Sequence, residues 1–170
     1  MAGTGAGCLI ITKPGRGFRR VNAQTARLVQ NYECVIFGGG LYAGSIAGAA
    51  RMVKLYGALQ GKRLAMFTVG LSDPSDPENV KKIMQDAARA FTPEMLENIC
   101  FFHLRGGMDY RNMRPVHKAM MVMLKKMLLK RPESERRTEE KGLLAAYDRP
   151  VDFTDRAALA PLIAWCRDEA

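Results

Sequence analysis

Hydrophobic residues fall along this chain in two rhythms. Largely apolar runs of five to seven residues occupy 8–12, 33–38, 63–69 and 99–104. They are rich in β-branched and aromatic side chains, as strands buried on both faces require. Between them, apolar residues recur every three or four positions, the spacing of a helix with one buried face. This predicts helices over 22–31 (Leu28 and Val29 inward), 45–59 (Ile46, Ala49, Ala50, Val53, Leu59) and 77–91 (Val80, Ile83, Met84, Ala87, Ala88). Pro77 fits a first helical position with Asp76 or Ser75 as cap, and Thr92-Pro93-Glu94 opens a short helix in the same way. Met113, Val116, Met120, Met123, Leu124, Met127 and Leu128 mark a long helix over 113–129. Residues 131–141 read as a surface loop or the first turn of another helix. A last amphipathic helix, capped at Thr154-Asp155, carries Leu159, Leu162, Ile163 and Cys166. Strands alternating with helices predict an α/β fold, a doubly wound parallel sheet in three layers, α/β/α. Right-handed crossovers then bring the strand ends to one edge.

The length of 170 residues suits one domain over 1–170, with the Gly-rich 1–7 expected to be disordered. No apolar run reaches the ~18 residues of a membrane span. The first residues lack the basic and apolar regions of a signal peptide. Cys8, Cys34, Cys100 and Cys166 lie far apart, each within an apolar segment, and read as reduced core thiols of a cytoplasmic protein. With only His103 and His117, and no paired spacing, no metal site is expected. The net charge of +9 is uneven: residues 111–141 hold ten Lys or Arg against four Glu. That stretch overlaps the Met-rich helix, which has two readings. It is a sheet-covering core helix with methionine fillers and snorkelling lysines, or a peripheral docking surface at 113–130 for an anionic membrane or an acidic redox partner. The basic residues lack interleaved aromatics, so nucleic acid is not an expected partner.

Candidate chemistry gathers where three strands end in glycine. Val35-Ile36-Phe37 runs into Gly38-Gly39-Gly40-Leu41-Tyr42-Ala43-Gly44-Ser45. This reads as a strand, a bare-backbone loop, and Ser45 capping the next helix. The glycines serve either a close-packed turn or the approach of a flat ligand, with Tyr42 as a stacking face. Gly70–Asp76 and Arg105–Tyr110 form the other two loops. They add the aromatic Tyr110, the hydroxyl of Ser72 and the fixed cation Arg105, beside Gly106 and Gly107. Asp73 and Asp109 read as turn formers. No nucleophile–base pair and no carboxylate dyad appears among them, so no catalytic residue is assigned, and any chemistry would belong to a bound cofactor.

VIFGGGLYAGSIAG, KRLAMFTVGLSDP and CFFHLRGGMDY, followed by MMVMLKKMLLK and VDFTD, resemble the flavodoxin-domain family over about residues 32–166. Within it they are similar to flavodoxins and menaquinone-dependent protoporphyrinogen oxidases. The resemblance implies strand order 2-1-3-4-5, bound FMN, and electron transfer or oxidoreductase chemistry linked to protoporphyrinogen, a quinone or a redox partner protein. It sets Gly39, Gly40, Leu41, Tyr42, Ala43, Gly44 and Ser45 on one side of the isoalloxazine, and Thr68, Val69, Gly70 and Leu71 on the other. It also implies a cytoplasmic, membrane-peripheral location. The N-terminus departs from the pattern. Such chains carry a Ser/Thr-Gly loop after strand 1 that holds the FMN phosphate at a helix N-terminus. Here 3–7 precede a strand, and 12–17 follow one but contain Pro14. Two readings stay open. The first βα unit is absent, or the flavodoxin is remodelled; by its distance to Val35, 8–12 fits the family's second strand, and with strand 1 lost it is the segment that would slide into the central slot, FMN being kept or lost with the phosphate site under either reading.

Overall fold

The computed structural model describes residues 8–12, 23–42, 44–111, 113, 115–136, 138–145, 147 and 149–167. Four strands, β1 (Cys8–Thr12), β2 (Cys34–Tyr42), β4 (Arg63–Gly70) and β5 (Ile99–Arg105), form a parallel sheet in the order β1-β2-β4-β5. A two-residue strand β3 (Ser45–Ile46) folds back antiparallel on the end of β2. The helices are α1 (Ala23–Gln30), α2 (Ala49–Leu59), α3 (Pro77–Ala88), α4 (Pro93–Asn98), α5 (Pro115–Leu129), α6 (Thr138–Ala145) and α7 (Ala160–Cys166). Beyond β5, β6 (Gly107–Met108) pairs antiparallel with β7 (Val151–Asp152). The expected α/β fold with a flavodoxin-like parallel sheet is the one observed. Residues 1–7 and 13–22 lie outside the described residues.

Each βαβ step moves the sheet one strand in the same direction. Right-handed crossovers therefore deliver α1 to α4 to one face. There Val29, Met52, Leu55, Leu59, Ala87 and Met95 pack on Val35, Phe37, Leu64 and Met66. The alternating residues Cys34, Ile36 and Ala65 point the other way and are covered by Leu162 of α7, with Trp165 and Cys166 beside them. In the flavodoxin order the position next to 34–42 belongs to strand 1. Here 8–12 holds it, Ile10 pairing with Ile36 and Ile36 with Ala65. The segment 8–12 therefore takes the slot beside 34–42 and not the place of the family's second strand, one position further out.

Cap chemistry fixes two helix starts as expected. Asp76 accepts from the Glu78 amide at 3.0 Å, with Pro77 at the first helical position. Thr92 accepts from the Met95 amide at 3.3 Å.

The glycine run is different. It is a continuation of β2 to Tyr42, not a loop, and α2 starts after Gly48 rather than at Ser45. Packing is the reason. A Cβ on Gly38 would overlap the far edge of the Phe67 ring, and one on Gly39 would overlap the carbonyl of Ala47. The glycines let neighbouring segments approach a strand more closely than any side chain allows. Ser45 donates its hydroxyl to the Tyr42 carbonyl at 2.7 Å, closing the hairpin instead of capping a helix.

Of the cysteines, one departs from expectation, Cys100. Cys8, Cys34 and Cys166, distant in sequence, meet on the α7 face, with the Cys8 thiol directed at the Cys166 carbonyl at 3.8 Å. Burial pushes the Cys34 thiol up to about 12. Cys100 is exposed, not a core thiol.

Candidate functional site

The C-terminal ends of β2, β4 and β5 border a cleft of about 650 Å³, closed on its far side by α5 and the β6–β7 ribbon. In an open parallel sheet this edge is where ligands bind, and the volume is that of a small-molecule site. Three segments of its wall were expected from sequence: Leu41, Tyr42 and Gly44; Val69, Gly70 and Leu71; and Arg105, Gly106 and Gly107. Four other candidates lie elsewhere. Gly39 is buried against Ala47, and Gly40 is exposed on the strand with its carbonyl accepting from the Ala47 amide at 2.9 Å. Ser45 is exposed at the hairpin. Thr68 is fully buried, with Oγ1 2.8 Å from Nδ1 of His103. Ala43 lies outside the described residues. Tyr110 packs on Tyr147, ring centroids 5.2 Å apart, away from the cleft.

Electrostatics along the wall are mostly self-contained. The Arg105 guanidinium donates to the Leu71 carbonyl and to Asp73 Oδ2, both at 3.1 Å, and lies 3.7 Å over the Phe153 ring. This cation is committed to holding loop 71–73 against β5. Asp73 forms the expected turn: Oδ1 accepts from the Ser75 hydroxyl at 2.7 Å and its amide at 3.0 Å. Those two bonds, and then Arg105, hold the carboxyl below the usual range, so it stays ionised and is a poor proton donor near neutral pH. Asp109 closes a turn in the same way, accepting from the Arg111 amide at 2.9 Å.

Two parts of the wall were not found from sequence. The first is Asn79, 3% exposed, whose Nδ2 donates to the Asp73 carbonyl at 2.9 Å. A carbonyl can only accept, so the amide orientation is fixed. Asn79 Oδ1 is then a buried acceptor without a partner among the described residues. The signal was present: Asn79 lies one turn before Ile83 on the buried stripe of α3, where an apolar residue is expected. The second is α5. It does not cover the sheet. It packs in a separate cluster with Met108, Leu143, Tyr147 and Val151, and turns Met120, Met121 and Leu124 to the cleft. The Tyr42 hydroxyl meets Met120 Sδ at 3.3 Å across the mouth. α7 already occupies the second sheet face, so α5 is left to pack on the ribbon beyond β5.

Residues 18–135 match the family described as Flavodoxin domain. The chain belongs to the flavodoxin domain family. Among curated proteins and solved structures, none matches. Chains of this family generally bind FMN, which sets a test for the cleft. A planar ring fits: the walls are apolar and Tyr42 supplies an aromatic face. A phosphate does not fit among the described residues. The wall carries Asp73, Asp76, Asp86 and Glu140 against Lys82 and Arg105. The N-terminus of α3, the helix on this wall, is filled by its own Asp76 carboxylate and followed by Pro77 and Glu78. Among the described residues of the flavodoxin domain, no group of His, Cys, Asp and Glu could hold a metal ion, and no helix is long and apolar enough to cross a membrane.

Proposed function

We propose that the cleft of this flavodoxin domain holds a flavin, FMN by family likeness, and that the chain is an electron-transfer or oxidoreductase domain. One observation carries the reading: an apolar cleft of about 650 Å³ sits at the C-terminal ends of three parallel strands. A bound flavin supplies one- and two-electron transfer that side chains cannot. The chain's own residues position and shield it. Tyr42 stacks on the ring, Leu71 and Met120 exclude water, and Arg105 fixes the loop carrying Leu71 through its carbonyl. By the resemblance, electrons pass between a redox partner protein or a quinone and the flavin, with protoporphyrinogen as a candidate substrate.

The reading extends to peripheral contact with an anionic bilayer through α5. Met123 is 68% exposed and Met127 53%, beside exposed Lys126 and Lys130. Methionines can enter the acyl boundary while ammonium groups meet anionic headgroups. Sedimentation with phosphatidylglycerol vesicles but not with phosphatidylcholine ones, lost in Met123→Glu/Met127→Glu, is the expected result. Equal sedimentation of the double variant removes α5 from any such contact.

The reading of the cleft is tested by titrating purified protein with FMN and following flavin fluorescence. Saturable quenching is expected. The competing reading, a scaffold domain that has lost its cofactor, is favoured by the acidic cleft wall, and it requires that no quenching occur.

A further inference from the structure

At the end of the sheet opposite the cleft, the first residues of three strands form a row. Cys8 opens β1, Cys34 opens β2 and Arg63 opens β4, with Cys8 in register with Cys34 and Cys34 with Arg63. The last turn of α7 lies over this row. The Arg63 guanidinium donates to the Trp165 carbonyl and sits 4.6 Å over the Trp165 ring. The Cys8 thiol points at the Cys166 carbonyl at 3.8 Å. Three free thiols thus meet in one cluster with a fixed cation beside them. Burial pushes the Cys166 thiol up, the neighbouring Cys8 thiol adds to this, and Arg63 draws it down. A thiol reacts as its thiolate, the form that the Arg63 charge favours.

Which pair can join follows from geometry. Neighbouring strands run about 4.7–4.9 Å apart with their side chains abreast, whereas a disulfide needs β-carbons about 3.5–4.5 Å apart. The ladder holds Cys8 and Cys34 at the strand spacing, and Cys34 is buried. Cys166 is the last residue of α7 and belongs to no ladder, and both it and Cys8 are half-buried, within reach of a small oxidant.

We infer that Cys8 and Cys166 form a redox-active dithiol that a hydroperoxide converts to a disulfide. One thiolate attacks the peroxide, breaks its O–O bond and becomes a sulfenic acid, releasing water or an alcohol. The other thiolate then displaces hydroxide from that sulfur, which leaves as water once protonated, and the S–S bond forms. The two sulfurs together give up two electrons, and the peroxide takes them. The link joins residues 158 positions apart. It clamps α7, whose Leu162 covers Ile36 and Ala65, onto β1. The site is independent of the proposed flavin cleft, which lies at the other ends of the strands.

Hydrogen peroxide treatment of the full chain carrying Cys100→Ser, which removes the exposed thiol, tests it. The Cys8 and Cys166 thiols are expected to disappear and to return with dithiothreitol, and peptide mapping by mass spectrometry is expected to join the two residues. The urea midpoint of the oxidised protein is expected to lie above that of the reduced one, because a cross-link over a long loop restricts the unfolded chain. Cys34→Ser added to this chain is expected to keep the link, and Cys166→Ser to lose it. A map that joins Cys34 to either partner, or retention of all three thiols, overturns the inference. A link with no rise in the midpoint overturns the clamp on α7. The map of the Cys100→Ser protein alone names the pair, so the answer does not depend on the folding of a further variant.

Discussion

The two walls of the cleft are built by different rules. The sheet wall is the end of a ladder. Parallel registers fix Gly38 beside Phe67 and Val69 beside Leu104, and the sheet and its helix layer are sealed by Ile36 on one face and by Met66 and Met52 on the other, none of them exposed. The α5 wall is one side of a helix resting on a small cluster of Met108, Met121 and Tyr147, with Met123 and Met127 turned outward. A strand whose neighbours are set by backbone hydrogen bonds gives a rigid floor. A Met-rich helix on a satellite cluster gives a wall that can repack around what enters, since methionine has three rotatable bonds and tolerates irregular contacts. A rigid floor facing an adaptable wall suits a planar ligand.

Core truncation breaks this comparison most directly. Met66→Ala is expected to cost about 4 kcal/mol in the sheet, where every neighbour is fixed, and Met121→Ala about 2 kcal/mol, where α5 can settle onto the gap. Urea denaturation of the two variants measures both. Equal losses would show that α5 is as firmly packed as the sheet. Next comes Gly39→Ala. The added Cβ overlaps the Ala47 backbone carbonyl, which no rotamer change can move. A loss of about 3 kcal/mol is expected by the same measurement. Gly57→Ala is the internal control: nothing lies within 4 Å of its Cβ on α2, and a gain of about 0.5–1 kcal/mol is expected.

Tyr42 stands between the walls. Its hydroxyl reaches Met120 Sδ on α5, and its ring belongs to the end of β2. Ring stacking is worth about 1 kcal/mol beyond area burial. Tyr42→Ala is therefore expected to weaken flavin binding about tenfold, or ~1.4 kcal/mol. Tyr42→Phe keeps the ring and should retain the affinity. If Tyr42→Ala lowers the melting temperature and leaves affinity unchanged, Tyr42 is a plug for the hairpin and not a stacking face.

The same division decides what could be read from the chain. The strands were legible because a buried parallel strand is a local signal: Ile36 and Phe37, or Phe101 and Phe102, need nothing distant to mark them. Asp76-Pro77 and Thr92-Pro93 were legible as caps for the same reason. The end of β2 was not, because Gly38 and Gly39 are glycines on account of Phe67 and Ala47, and that contact is made by folding. Asn79 carried a visible signal, a polar residue on an apolar stripe, but its meaning depends on the Asp73 carbonyl beside it. The place of α5 was least legible. Its apolar residues recur nearly all round the helix, so periodicity alone could not say that α7, which begins at Ala160, would take the sheet face. Cys8, Cys34 and Cys166 met for the same long-range reason.

The smallest expected effect concerns the other face of the sheet wall. His103 is half-buried on β5, with Nδ1 2.8 Å from Thr68 Oγ1, and burial pushes its pKa below the ordinary value. The folded protein thus prefers the neutral ring more than the unfolded chain does. Below about pH 6.5, where an unfolded histidine begins to gain its proton, the unfolded state binds more protons and stability falls. Above that pH both states are neutral and the contribution is flat. The urea midpoint of the wild type is therefore expected to drop between pH 7.5 and 5.5 by more than that of His103→Gln, which keeps a polar partner for Thr68 and cannot titrate. His117 is common to both proteins and cancels in the difference. Parallel pH profiles for the two proteins would show that His103 does not couple protonation to folding, and would leave the floor of the cleft indifferent to pH in this range.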